Sequence, residues 1–496
     1  MPIRVITLLL VCLALSGQPP GREEPKNAQP ASQQPAPQPV LVEPPAHDLV
    51  PETPLPVDRM TLPPGVAGEE SALLGRVAVA RKLDASTVIR AVVGFVVLFV
   101  LAYAAGHPKV TQLERRLRIG HLTAAGLPFF LLGYVAALPS IGVLTPDILR
   151  EIAPLLPLGL GWIGFVVGTR FESARFADIS PESEASVFLT TAVPMALIFG
   201  ACALVVYPFG FLPGSTPGLV RDGLLLSLAG AMGARNAPFL ARYSADGTGV
   251  PPARLIRIIE LEQLAGVVGL LLISAFYRPQ GAVVGWQLPG TAWLFMTLGI
   301  GTALGLLIWA TLTRMHSANQ FAAVLLGAVC FTAGMASFLR LSSLSVCFIA
   351  GALIINLGGS WKVTFQGVLE RMERPVYFLF LVLAGAWWIP WDYRGWVLML
   401  LFVAGRGLAK RLSARFVQRY WVKDLTETEC RVLAHAPMGA LSVAIVVSAW
   451  DLYSGPTVPL IVTAIIGGSV LSEVIVQWRF RQRASQAAEP AQETAA

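Results

Sequence analysis

From residue 86 onward the chain is a succession of apolar runs, each about the ~20 residues that a helix needs to cross a bilayer. The runs fall at 86–106, 121–138, 152–171, 186–207, 222–241, 255–276, 292–313, 320–339, 343–358, 375–391, 394–413, 431–450 and 457–478. Only a Leu339-Arg340-Leu341-Ser342 hinge separates the eighth from the ninth. That pattern predicts an all-α polytopic membrane protein with about 13 transmembrane helices. Only 14% of the 496 residues are charged, against about 25% in an ordinary soluble domain. Such a chain cannot cover its surface with polar groups in water. A soluble enzyme, a nucleic-acid binder and a disulfide scaffold are thereby excluded. The cysteines, Cys12, Cys202, Cys330, Cys347 and Cys430, stand singly with no CxxC spacing, so neither a disulfide nor a metal cluster is expected.

The ends differ in character. Residues 1–17 carry Arg4, an apolar run from Val5 to Leu15 and then small residues, the layout of a signal peptide whose apolar part is too short to span. Residues 18–71 are rich in Pro, Gln, Ala and Glu, as in Gln33-Gln34-Pro35-Ala36-Pro37-Gln38-Pro39. Proline at that density removes backbone donors, and little apolar surface is left to offset the entropy of ordering. A disordered extracytoplasmic segment is expected there, followed by a short linker helix at 72–85, the transmembrane domain at 86–480 and a cytoplasmic tail at 481–496.

Charge sets the orientation. With Gln18 outside, alternate loops face in and out. The loops and tail that then face inward carry 22 Lys and Arg, Lys410 counted among them, while those facing outward carry Arg150, Arg221, Arg278, Arg340 and Arg394. The excess of basic residues inside is the bias that membrane insertion imposes. It turns the net charge of +7 from a hint of nucleic acid into a topology with the N-terminus outside and the C-terminus in the cytoplasm of a bacterial inner membrane.

Polar groups inside the spans are few. The fifth span contains Gly233-Ala234-Arg235-Asn236-Ala237-Pro238, and the twelfth contains His435-Ala436-Pro437-Met438-Gly439. Proline removes a helical hydrogen bond and pushes the residue before it towards an extended form. In hydrocarbon the freed groups must face protein or a water-filled cavity. Paired interruptions, one in each half of the chain, mark the centre of a transporter; simple kinks are the alternative. The sixth span carries Glu260, Glu262 and Gln263. Residues 260 and 262 lie about 200° apart on a helix and cannot share a face. Glu260 is expected at the basic inner end as a solvated charge. Glu262 lies deeper, with Arg406 and Arg235 as expected partners, in a functional or a purely structural bridge. His435 beside the second break is a candidate proton relay. The remaining histidines are isolated, and no catalytic constellation or cofactor motif is present.

At these residues the chain resembles the monovalent cation:proton antiporter superfamily, the sodium/hydrogen exchanger-like transmembrane domains. Gly133-Tyr134 with Pro139-Ser140-Ile141-Gly142-Val143-Leu144, then Phe165-Val166-Val167-Gly168, are similar to that family's early motifs. Phe348-Ile349-Ala350-Gly351, Glu373-Arg374-Pro375 and Phe380 to Ala386 are similar to its later block. The resemblance implies two inverted repeats, two broken and crossing helices, a homodimer, and exchange of Na⁺ or K⁺ for protons. It also implies that Asn236-Ala237-Pro238 forms the first break, Glu262-Gln263 the acidic pair, Arg406 the basic residue, and Pro437-Met438-Gly439 the second break. The chain departs from the family at the ligands: Gln263 stands where a second carboxylate is expected, Ala237 where an oxygen ligand is expected, and Arg235 adds a positive charge. A small shift of register would instead put Glu262 at the ion-binding position. The alternatives are an anion or organic-acid transporter of the same fold, and a transport-inactive sensor or scaffold.

Overall fold

The computed structural model describes residues 89, 92, 93 and 96, and then 127–493 apart from 142–143, 174–180, 208–214, 235–252, 279–287, 316–317, 360, 421–426 and 454. The expected signal peptide, Pro-rich segment, linker helix and nearly all of the first span lie outside the described residues. Among those described there are helices and no strand. In chain order they are α1 (Leu127–Ala137), α2 (Pro146–Glu151), α3 (Leu155–Gly168), α4 (Pro181–Ala201), α5 (Thr216–Ala231), α6 (Ala253–Phe276) and α7 (Gly290–Leu312). There follow α8 (Ala318–Phe338), α9 (Ser343–Asn356), α10 (Lys362–Ala386), α11 (Tyr393–Tyr420), α12 (Glu427–His435), α13 (Ala440–Leu452) and α14 (Val458–Glu493). Stretches of α6, α7, α8 and α14, and α12–α13 taken together, are long and apolar enough to cross a membrane. Together with the apolar composition they make this a multi-pass membrane protein. Phe295, Leu307, Phe331 and Phe338 of α7 and α8 are exposed, as side chains facing lipid would be.

Local signals explain several boundaries. Thr145 caps α2 by accepting from the Ile148 amide, with Pro146 at the first helical position. The α8–α9 hinge is a helix stop followed by a helix start. Arg340 adopts φ 55°, Leu341 N donates to Ala336 O at 2.8 Å and Arg340 N to Ser337 O at 3.0 Å, which together form a Schellman closure. Ser342 then caps α9 by accepting from Ser345 N. Three helices are longer than their apolar runs. α10 begins at Lys362 rather than 375, α11 continues to Tyr420 rather than 413, and α14 continues to Glu493. Their polar ends keep helical hydrogen bonds where hydropathy alone marks a loop or tail.

One layer is built on α3 and α9, whose backbones touch. A methyl group on Gly164 would overlap the Leu344 carbonyl, one on Gly168 the Phe348 carbonyl, and one on Gly351 the Phe165 carbonyl. The two Phe-x-x-Gly motifs therefore receive each other, each glycine admitting the other motif's phenylalanine carbonyl. α1 and α10 repeat the arrangement, with Gly133 against Val382 and Gly385 against Phe130. Small residues at such seams are how helices associate where no water is expelled. The other layer gathers α4, α5, α6, α11, α12, α13 and α14. There a Cβ on Gly468 would stand 3.0 Å from the Phe402 ring, and a large apolar core runs through α5, α13 and α14.

Candidate functional site at the crossing of two interrupted helices

α5 stops at Ala231, and Met232 turns extended at φ −77°, ψ 145°. The second interruption runs from Ala436 to Gly439, with Gly439 extended at φ −111°, ψ 177°. The two breaks lie on one another. Ala234 N donates to Pro437 O at 2.8 Å, and a Cβ placed on Gly233 would stand 3.2 Å from that of Ala436. Pro437 and Gly439 thus sit in the second break as expected. The first break opens at Met232; Arg235, Asn236 and Pro238 lie outside the described residues.

Interrupting a helix leaves carbonyls at one stump and amides at the other. α5 and α12 both present carbonyl ends here, with partial negative charge. Arg406, 6% exposed, answers both. Its Nε donates to Gly230 O at 2.9 Å, and one terminal nitrogen donates to Met232 O at 3.0 Å and to Ala436 O at 2.9 Å. One guanidinium staples the two breaks, with the fixed fork of donors that makes arginine suited to it.

One turn further along α11 lies Lys410, on the same face as Arg406. Lys410 Nζ donates to Glu262 Oε1 at 2.9 Å. Glu262 is 0% and Lys410 2% exposed, so this is a fully buried ion pair. Glu262 Oε2 accepts from Gly233 N at 3.0 Å, and Gln263 Nε2 donates to Gly233 O at 3.3 Å. The Glu262-Gln263 pair of α6 therefore clasps one residue of the first break, Gly233, by both its amide and its carbonyl. Three buried side-chain oxygens near this network have no hydrogen-bond partner: Gln263 Oε1, Thr191 Oγ1 and Ser442 Oγ. Thr191 follows the residue whose carbonyl meets Lys410 at 3.3 Å, and Ser442 lies three residues past Gly439.

The expected pairing of Glu262 is corrected. Its partner is Lys410, while Arg406 is occupied by three carbonyls. The reason is reach and placement: Arg406 sits level with the helix stumps and Lys410 sits one turn on, level with α6. Lys410 is likewise no inner-loop charge: it lies within the eleventh span, buried against Glu262. Glu260 is corrected from a solvated charge to a buried residue, 4% exposed. His435 ends α12, half-buried, with Nδ1 2.9 Å from Arg431 O. The missed residue, Lys410, was readable from its spacing: two basic residues four apart near the end of one apolar span share a face.

No protein-family model and no curated sequence matches the chain. Among solved structures, that of the sodium proton antiporter MjNhaP1 from Methanocaldococcus jannaschii at pH 8 is similar, with a TM-score of 0.55 and 15% identity. The alignment covers 78% of this chain and 98% of that one. An electron-microscopy structure of the same antiporter aligns with a TM-score of 0.51 and 15% identity, over 77% of this chain and 95% of that one. This multi-pass membrane protein therefore has a sodium/proton-antiporter-like fold, with Glu262, Arg406 and Lys410 buried where two interrupted helices cross.

Proposed function

We propose that the protein exchanges a monovalent cation, Na⁺ or K⁺, for protons across a bacterial inner membrane, with the N-terminus outside and the C-terminus in the cytoplasm. The observation that carries this reading is the buried Glu262–Lys410 pair against the interrupted backbone. A buried ion pair is a costly way to gain stability, and intramembrane charges mark ion pathways by default. Here the pair supplies one carboxylate with an occupant that a cation can replace. The cation takes Glu262, Lys410 gives up one proton to water, and one positive charge leaves the site as one enters. Gln263 Oε1, unpartnered and buried, supplies a neutral oxygen ligand beside it, and Asn236 a second. Arg406 holds the stumps in place. Pro238, Pro437 and Gly439 keep the breaks open, Arg235 tunes the charge of the first break, and His435 stands as a candidate relay at the end of α12. Similarity of fold to a sodium proton antiporter supports the same reading, as it supports inverted repeats and a homodimer.

The anion reading is disfavoured by one observation: Arg406 and Lys410 are both engaged by protein oxygens. Reconstitution into liposomes with an internal pH-reporting dye tests the proposal. Proton movement evoked by Na⁺ or K⁺ between about pH 6 and 9 is expected, spanning the range in which tuned site groups work. Its absence sinks the proposal. Gln263→Asp, which restores a second carboxylate, is expected to raise cation affinity. Uptake of an organic anion that needs Arg235 and ignores Glu262→Gln would favour the alternative, and a flux-free protein that binds a partner through residues 18–71 would mark a sensor.

A further inference from the structure

Lys410 makes a second bond that the exchange step does not use. Its Nζ donates to the Thr190 carbonyl of α4 at 3.3 Å. In a regular helix that carbonyl accepts from the amide of residue 194. Residue 194 is proline, inside α4. Proline has no amide hydrogen, and its ring crowds the carbonyl four residues back, turning it away from the helix axis. The carbonyl to which Pro194 offers no amide is the one that Lys410 meets. Ser413, three residues on along the same face of α11, donates to the neighbouring Leu189 carbonyl at 3.3 Å. The seam between α11 and α4 therefore has two polar contacts to carbonyls one turn before Pro194.

We propose that Pro194 is a positioning residue for the exchange: by withholding an amide from the Thr190 carbonyl it leaves the Lys410 ammonium a second acceptor, one that remains when a cation takes Glu262. This rests on the reading of Glu262 and Lys410 as the exchange pair. The carbonyl holds the protonated lysine more strongly than the neutral amine, because the bond is charge-assisted. Pro194 thereby raises the pH that a cation needs in order to displace the lysine proton. Glu262 of α6 and Arg406 of α11 are the charges that act on Lys410, and residues 188–201 of α4 contain no titratable side chain. Glu260 of α6 and Glu473 of α14, both buried, and half-buried His435 of α12 are further titratable groups on the neighbouring helices.

The test is Pro194→Ala, placed in the natural chain and in a chain whose pair is neutralised by E262Q and K410M together. Alanine returns an amide to Thr190 and competes with Lys410. In the natural chain the pH profile of exchange is expected to shift about one unit towards acid, the size of one weakened hydrogen bond to a charged group. Thermal unfolding in detergent supplies a readout that needs no transport. Pro194→Ala is expected to be less favourable to the melting temperature in the natural chain than in the neutralised one, because only the former has an ammonium to lose. Equal changes in the two backgrounds overturn the proposal, as does an unmoved profile in a protein that exchanges. A natural chain without exchange instead fails the reading on which the proposal rests, and the thermal comparison still decides the contact.

Discussion

Two crossings in this molecule solve the same steric problem in opposite ways. At α3–α9 two continuous helices bring their backbones together by omitting side chains: Gly164, Gly168 and Gly351 admit carbonyls. At the crossing of α5 with α12–α13 the helices themselves are interrupted, and the freed backbone groups are answered by Arg406, Glu262 and Gln263. The glycines of the first crossing bring no side chain that could exchange partners, so that contact can only fit or fail to fit. The second is held by side chains that have alternative partners. Rigid packing and exchangeable polar contacts are thus segregated, which is what a transporter with a fixed frame and a working centre needs.

The comparison can be broken most severely at the ion pair. Lys410→Met alone leaves Glu262 buried without its partner and is expected to cost about 3–5 kcal/mol in unfolding free energy. Neutralising both members, with E262Q beside it, is expected to recover most of that loss; an equally large cost for the double variant would show that the pair is a structural bridge. Arg406→Lys comes next, at about 2–4 kcal/mol, because an ammonium cannot reach three carbonyls in a fixed fork. Chemical denaturation in detergent measures both. At the frame, Gly168→Val is expected to cost about 1–3 kcal/mol by overpacking against the Phe348 carbonyl, with the cation affinity of the folded fraction unchanged. A lost affinity there would show that the frame and the site are coupled. The smallest effect lies at the α8–α9 hinge, where Arg340→Gly relieves a positive φ and is expected to stabilise by about 1 kcal/mol.

Legibility in the sequence follows the same division. The spans could be read from apolar length, and both interruptions from Gly and Pro inside apolar runs, because each signal is local. Glu262 stood out because a carboxylate deep in a span is rare. Its partner did not, because Lys410 adjoins Arg411 and Arg415 at the inner end of its span and reads as one more basic boundary charge until it is seen buried on Glu262. The extra turns of α10, α11 and α14 were hidden for a related reason: hydropathy reports where lipid ends, and a helix can continue into water. Pro194 reads as an ordinary kink in the sequence. Its consequence appears only when α11 is placed beside α4 and Lys410 is found on the Thr190 carbonyl. Ligands assembled from separate helices depend on register between elements, which a single sequence does not carry.

The central claim is that one buried carboxylate holds the Lys410 ammonium and a transported cation in turn. The most direct measurement is proton release from purified protein in weakly buffered detergent solution when Na⁺ or K⁺ is added. The account predicts roughly one proton released per cation bound, and none from Glu262→Gln. Cation binding without proton release, or equal release from Glu262→Gln, would contradict it.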